Sequence, residues 1–247
     1  MEFRIAEIFT DARELAPGAE PMPLTSRRQL LVGAGAVLLA PRAARAAVVG
    51  AAADTLRIEI DTSNAPELAG WGQKLRGMIA GWWPMINATL ASPGYTPPDF
   101  VRIVFRDIDP PNAGAYSAGA TIVVNLTDIL GHQDDYGRVA HELVHLAQQY
   151  PKPNINWLVE GIADWVRYYV LLPGDPRRNF DPGHITYQVG YQPAAALLDW
   201  VERGHGAGSV RRIIAAMRRG GDGEAELLAI SGSTPLTLWR AYVKSRA

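Results

Sequence analysis

The chain has 247 residues, 24 Lys+Arg against 25 Asp+Glu, no cysteine, 48% hydrophobic and 20% charged residues, which is the composition of a folded globular protein of one moderate domain or two small ones. Without cysteine there is no disulfide framework, thiolate zinc site, iron–sulfur cluster or cysteine nucleophile. The near-neutral charge gives no case for nucleic acid or acidic membranes, and no apolar run approaches the roughly 20 residues that span a bilayer, so neither a nucleic-acid partner nor stable membrane insertion is expected.

The first readable feature is an address. Ser26-Arg27-Arg28-Gln29-Leu30 precedes the uncharged apolar run Leu30 to Ala40, and Ala44-Arg45-Ala46 offers a small-x-small cleavage pattern. Positive end, apolar core and small-residue site in that order make a secretory signal, and the paired arginines make it a twin-arginine type. Residues 1–21 are rich in acids and fit badly in front of such a signal, so translation is expected to start at Met22. Cleavage after Ala46 leaves residues 47–247 as one domain, exported to the periplasm or beyond. Removing the leader's 6 Arg and 5 acids from the chain totals leaves 18 basic and 20 acidic residues.

Beyond the leader, Thr55 to Ile60 alternates apolar and charged residues and predicts a half-buried strand. From Glu67 the apolar residues Leu68, Trp71, Leu75, Met78, Ile79 and Trp82 recur at helical spacing, with Pro84 expected to kink or end that helix. Ser92 to Asp99 reads as a loop, Val101 to Phe105 as a strand, Asp107 to Gly119 as a long turn region and Thr121 to Leu126 as a strand. A helix follows Asp134 and Asp135, its expected caps, and runs to Tyr150, where Pro151 and Pro153 stop it. The next helix spans Trp157 to Leu171. Further helices fit Ala194–Arg203, Ser209–Arg219, Glu224–Ile230 and Leu236–Lys244. A few strands followed by helices predict an α+β domain, a small mixed or antiparallel sheet with a mostly helical second half.

The chemistry falls on two consecutive helices. His141-Glu142-Leu143-Val144-His145 is an HExxH motif. Residues four apart share a helix face, so both imidazoles can grip one ion, and Glu142 beside them is placed to act on a water rather than to ligate. The competing reading is two polar histidines on a solvated face. The following helix weighs against it: Glu160 and Asp164 are also four apart, among the apolar residues Trp157, Leu158, Val159, Ile162, Trp165 and Val166. Carboxylates in such a setting need a partner, either a metal and an imidazole N–H or an arginine such as Arg167 or Arg138. HExxHxxGxxH is excluded, since Gln148 and Pro151 occupy the Gly and third His positions. His132, His184 and His205 remain as outside candidates for a third ligand. Glu160 is preferred, because its helix follows after a short Pro-containing turn. Two His and one Glu leave a coordination position open, as in catalytic zinc, with Asp164 orienting one imidazole. Tyr191, at the start of a later helix, is the first choice for a donor to a developing oxyanion; its bland alternative is an aromatic packed at a helix start.

HELVHLAQQY at 141–150 and WLVEGIADWVRY at 157–168 together resemble the basic secretory protein family of zinc peptidases of plants and bacteria. GYQPAAALLDWVE at 190–202 and GSTPLTLWRAYVKS at 232–245 are similar to that family's remaining blocks, so the resemblance covers roughly residues 55–245. It implies a zincin-like fold and a gluzincin-type site, with His141, His145 and Glu160 as zinc ligands, Glu142 as base, Asp164 behind the ligands and Tyr191 as electrophile. The chain departs from the family pattern in being non-basic once the leader is removed.

The expected activity is hydrolysis of peptide or protein substrates, with Glu142 as the general base and a strand such as Thr121–Leu126 pairing with an extended substrate. The rivals are an exported binding or defence-type protein whose metal braces two helices, with the open position closed by His184 or Tyr191, and a zinc hydrolase of a non-peptide amide.

Overall fold

The structure is a computed structural model that describes residues 56–109, 114–151 and 156–246. All of these lie in one unit of the chain, Val48–Ala247. The leader reading, the start at Met22 and the cleavage after Ala46 lie outside the described residues.

The first alternating segment forms β1 (Arg57–Asp61). A short 3-10 turn, Pro66–Leu68, leads into α1 (Ala69–Leu90). Pro84 does not end this helix: Trp82, Trp83, Ile86 and Leu90 are buried on either side of it, and their packing carries the chain through the missing backbone donor. The strands β2 (Phe100–Arg106), β3 (Ala115–Ala118) and β4 (Thr121–Asn125) complete a four-stranded sheet in the order β1-β2-β4-β3. β1, β2 and β4 run parallel, and β3 pairs antiparallel with β4, Tyr116 opposite Val123 and Ser117 opposite Ile122. The architecture is α+β with a mixed sheet, as the pattern of segments predicts.

Three local expectations need correction. β3 falls inside the segment read as a long turn: Ala-Tyr-Ser-Ala carries no β-branched residue, and only pairing with β4 makes it a strand. β4 has partners on both sides, so the strand expected to receive a substrate has no free edge; the free edge on that side of the sheet is β3. Leu126, read as the end of the strand, opens the short helix α2 (Leu126–Gly131), with the Asn125 side chain accepting from the Asp128 N–H.

The chemistry-bearing helices are α3 (Gly137–Gln148) and α4 (Asn156–Trp165). The N-cap position of α3 is Tyr136, with no side-chain cap. Asp134 and Asp135 instead pair with arginines: the buried Arg138 and Arg167 compete for Asp135, and the half-buried Arg177 for the exposed Asp134. The helix read through to Leu171 changes character at Val166, where a wider π turn runs to Leu171. α5 (Tyr191–His205), α6 (Ser209–Arg218), α7 (Gly223–Ser231) and α8 (Pro235–Lys244) follow close to their expected spans. α4 packs tightly on α5 because residue 161 is glycine: a Cβ there would lie 2.6 Å from the Ala194 Cβ. Val101, Ile103 and Phe105 of β2, Trp71, Leu75 and Ile79 of α1, and Val139, Leu143 and Val144 of α3 share one core. Among the described residues no helix is long and apolar enough to cross a membrane.

Candidate metal centre

Helical spacing on α3 puts His141 and His145 one above the other, their rings 4.6 Å apart and nearly perpendicular. α4 brings Glu160 to the same point. His141 Nε2 lies 2.9 Å from His145 Nε2 and 3.1 Å from Glu160 Oε2, and His145 Nε2 lies 3.4 Å from that oxygen. The three residues form a group able to hold a metal ion, with their donor atoms all within 4.8 Å of one another.

The outer nitrogens of both rings are spoken for. His141 Nδ1–H donates to Asp164 Oδ1 at 2.7 Å, and Asp164 is 1% exposed. Gln148 Nε2 donates to the Val159 carbonyl at 2.8 Å, which turns Gln148 Oε1 toward His145 Nδ1, also at 2.8 Å. An amide oxygen only accepts, so His145 Nδ1 carries the hydrogen and His145 Nε2 presents a lone pair to the centre. Lone pairs converging from Glu160 and His145 demand a positive charge between them. Without a metal, a second proton on His141 Nε2 supplies it. Burial pulls the His141 pKa down, but hydrogen bonds to Asp164 and Glu160 and the charges of Asp164 and Glu142 outweigh it and raise it to about 10. Burial likewise pushes Glu160 up, but the hydrogen bond from His141 and the neighbouring imidazoles outweigh it and bring it down to about 2. A cavity that concentrates three donor atoms, with the far nitrogen of each imidazole held by an acceptor, has the chemistry of a cation site, so the residues present fit a divalent metal.

Beside His141 lies a chain of buried and half-buried charges. Arg138 pairs with Asp128 and, at 3.3 Å, with Asp135. Arg167, in the π turn, donates to Asp135 at 2.8 Å and sits 3.9 Å from Asp164. Gly137 lets Arg167 pass: a Cβ there would lie 2.6 Å from the Arg167 Nε. The arginines weighed against a metal as partners of the acids therefore serve mainly Asp128 and Asp135, while Glu160 is left to the imidazoles.

Gly190 and Tyr191 enter from the start of α5. Gly190 has φ 81, and a Cβ there would lie 2.8 Å from the Glu160 Cβ, so only glycine lets the chain approach this close. Tyr191 itself is held at φ 49, an uncommon conformation for a tyrosine of the kind that gathers at functional sites. Its ring stacks 5.9 Å from the His141 ring and is 47% exposed. Burial, and then the charges of Glu160, Asp164 and Glu142, raise its pKa, so the hydroxyl remains a donor. Glu142, 7% exposed, lines the same cleft of about 700 Å³ as His141, His145, Glu160 and Tyr191, with Tyr116 and Ser117 of β3 along one wall.

The outside histidines stay outside. His132 pairs with Asp128 on the surface, His184 with Asp181, and His205 lies against Trp200 at the end of α5. His184 is therefore not placed to close the centre. The residues that sequence reasoning passed over are Gln148, Gly190, Asp128 and Asp135. Gln148 carried a usable signal, since it stands three residues after His145 on the same helical face. Asp135 was read only as a helix cap; its partner Arg138, three residues on, was within local reach, but its partner Arg167, 32 residues away, was not.

A family model described as peptidase of plants and bacteria matches residues 93–242, which include β2 to β4, both helices of the centre and Tyr191. No curated protein matches the chain.

Proposed function

The chain belongs to the family of peptidases of plants and bacteria, and from that membership we propose that it is an exported zinc peptidase of zincin type whose centre is His141, His145 and Glu160. The observation that carries this reading is the convergence of two imidazole nitrogens and one carboxylate oxygen in a cleft that also holds a buried glutamate not among the ligands. A site that merely braces two helices has no use for Glu142 in that place. Two His and one Glu from consecutive helices is a zinc donor set, and export is supported by the leader read in residues 26–46.

When bound, zinc acts as a Lewis acid on a carbonyl and brings the pKa of water near 7. The rest is the work of the chain. His141, His145 and Glu160 hold the ion, and Asp164 keeps His141 in the orientation that points Nε2 inward. An extended substrate adds to the free edge of β3, which forms one wall of the cleft and sets the scissile carbonyl over the centre. Glu142 takes the proton of the attacking water at a carboxylate oxygen and delivers it to the leaving amine. Tyr191, protonated, donates its hydroxyl hydrogen to the carbonyl oxygen as charge builds there.

Digestion of an unfolded protein by the zinc-loaded protein, beside Glu142→Gln loaded equally, tests the proposal. We expect cleavage by the first and a loss of about 10²–10⁴-fold in the second with zinc retained. Equal rates from both would remove Glu142 from the mechanism. No cleavage by either, with zinc bound, would shift the reading to a binding protein or to a non-peptide amide.

A further inference from the structure

We infer that Gln148 is a positioning residue for the metal centre, one that fixes the ring and tautomer of His145 and ties that ligand to the backbone beside Glu160. The inference rests on His145 and Glu160 being ligands, as proposed above.

The two imidazoles are backed differently. His141 leans on a buried carboxylate, Asp164, offered from α4. His145 leans on a neutral amide offered from its own helix, three residues on. An amide can face either way, and its flip decides what His145 can do. With the oxygen toward Nδ1, Nε2 is a bare lone pair; with the NH₂ toward Nδ1, the hydrogen moves to Nε2 and the ligand atom is blocked. The flip is set by Val159, whose carbonyl accepts from Gln148 Nε2 at 2.8 Å. A carbonyl cannot donate, so only one orientation satisfies both partners. Val159 immediately precedes Glu160, so the same amide holds one ligand by its ring and stands one peptide from the other. Gln148 is 3% exposed, which keeps water from substituting for either bond.

The backbone that carries this side chain is pinned as well. Arg218 of α6 donates to the carbonyls of Ala147 and Gln148 at 2.9 and 3.3 Å. Gln149 then turns into the left-handed region at φ 47 and donates from its own side chain to the Thr96 carbonyl. The last turn of α3 therefore cannot shift to let another group replace the amide. A glutamine that only filled a gap between helices would not need its oxygen on an imidazole nitrogen.

Two readouts on the full chain test the inference. The first is zinc affinity, measured by competition with a chromophoric chelator. Gln148→Leu is expected to bind zinc roughly 10–100-fold more weakly than the wild type. Gln148→Glu keeps an acceptor for His145 Nδ1 but loses the donor to the Val159 carbonyl, and is expected to recover part of the affinity that Gln148→Leu loses. The second readout is the ¹⁵N shift pair of His145 in metal-free protein. It is expected to report Nδ1–H in the wild type and in Gln148→Glu, and a mixed tautomer in Gln148→Leu. Zinc binding by Gln148→Leu as tight as the wild type, an equal loss in Gln148→Glu, or Nε2–H in the metal-free wild type would each overturn it. Were the wild type to bind no zinc at all, the ligand reading would fail by itself, and the tautomer of His145 would still decide whether Gln148 orients it. If Gln148→Leu fails to fold, Gln148→Glu and the wild-type tautomer carry the test.

Discussion

The two ends of α3 are secured by opposite means. At the upstream end, charge meets charge around two buried arginines: Asp128, Arg138, Asp135, Arg167 and Asp164 run in series to His141. At the downstream end, one cation meets only dipoles. Arg218 donates to the carbonyls that close α1 and α3, Leu90, Ala147 and Gln148, and to Ser92 Oγ, and lies over the Tyr95 ring at 4.1 Å. A cation at helix C-termini satisfies carbonyls that the helices leave unpaired and complements both macrodipoles. The contrast shows that a helix carrying a metal motif can be held by ion pairs where it meets the centre and by a charge–dipole clasp where it leaves it. The first arrangement is costly to break on one side. The second loses only what the single side chain gives.

That asymmetry can be broken at its strong end first. Asp135→Ala leaves Arg138 and Arg167 buried with one carboxylate partner fewer each, and we expect a loss of about 3–5 kcal/mol in denaturant unfolding. A loss under 1 kcal/mol would mean that the upstream series is as weak as a surface ion pair. At the other end, Arg218→Met keeps an unbranched stem and removes the donors. Thermal and denaturant unfolding should show a smaller loss, roughly 1.5–3 kcal/mol. If Arg218→Met proved the costlier of the two, the charge–dipole clasp would be the stronger anchor of α3.

The same comparison can also be read in pH. His141 has its pKa raised above the ordinary histidine value of 6.5 to about 10, so its contribution to stability is complete below pH 6.5 and is lost as pH climbs through about 10. Metal-free protein should therefore lose melting temperature gradually over that interval. The cost of Arg218→Met should stay flat across it, because burial pushes Tyr95 up to about 12 and moves Tyr150 upward as well, so no tyrosine beside Arg218 titrates in that range. A wild-type melting profile without slope between pH 7 and 10 would show that the upstream series does not hold a proton on His141.

How much of this was legible in the chain depended on the range of the force involved. His141 with His145, and Glu160 with Asp164, were readable as shared faces because four-residue spacing on a helix is a local matter. So was the burial of their helices, since Val139, Leu143, Leu158 and Ile162 recur at helical period. β3 was unreadable, because Ala115–Ala118 has only Tyr116 to favour a strand and exists through its ladder with β4. The caps assigned to Asp134 and Asp135 failed for a related reason: a local rule for helix starts lost to arginines that arrive from the chain downstream. The π turn at Val166 changes the helix period, so a strict 3.6-residue reading could not place Arg167 beside Asp135.

The sequence by itself determined the residue kinds at the centre, their helical spacing, the α+β order of segments and the resemblance that names the family. Those follow from covalent order and from hydrogen bonds four residues long. Only the tertiary structure decided that Glu160 meets the two imidazoles, that Gln148 and Asp164 set their tautomers, that Gly190 admits the chain to Glu160, and that β3 rather than β4 offers the free edge. Each of those depends on groups far apart along the chain, and nothing but the packing of one element on another brings them within hydrogen-bonding distance.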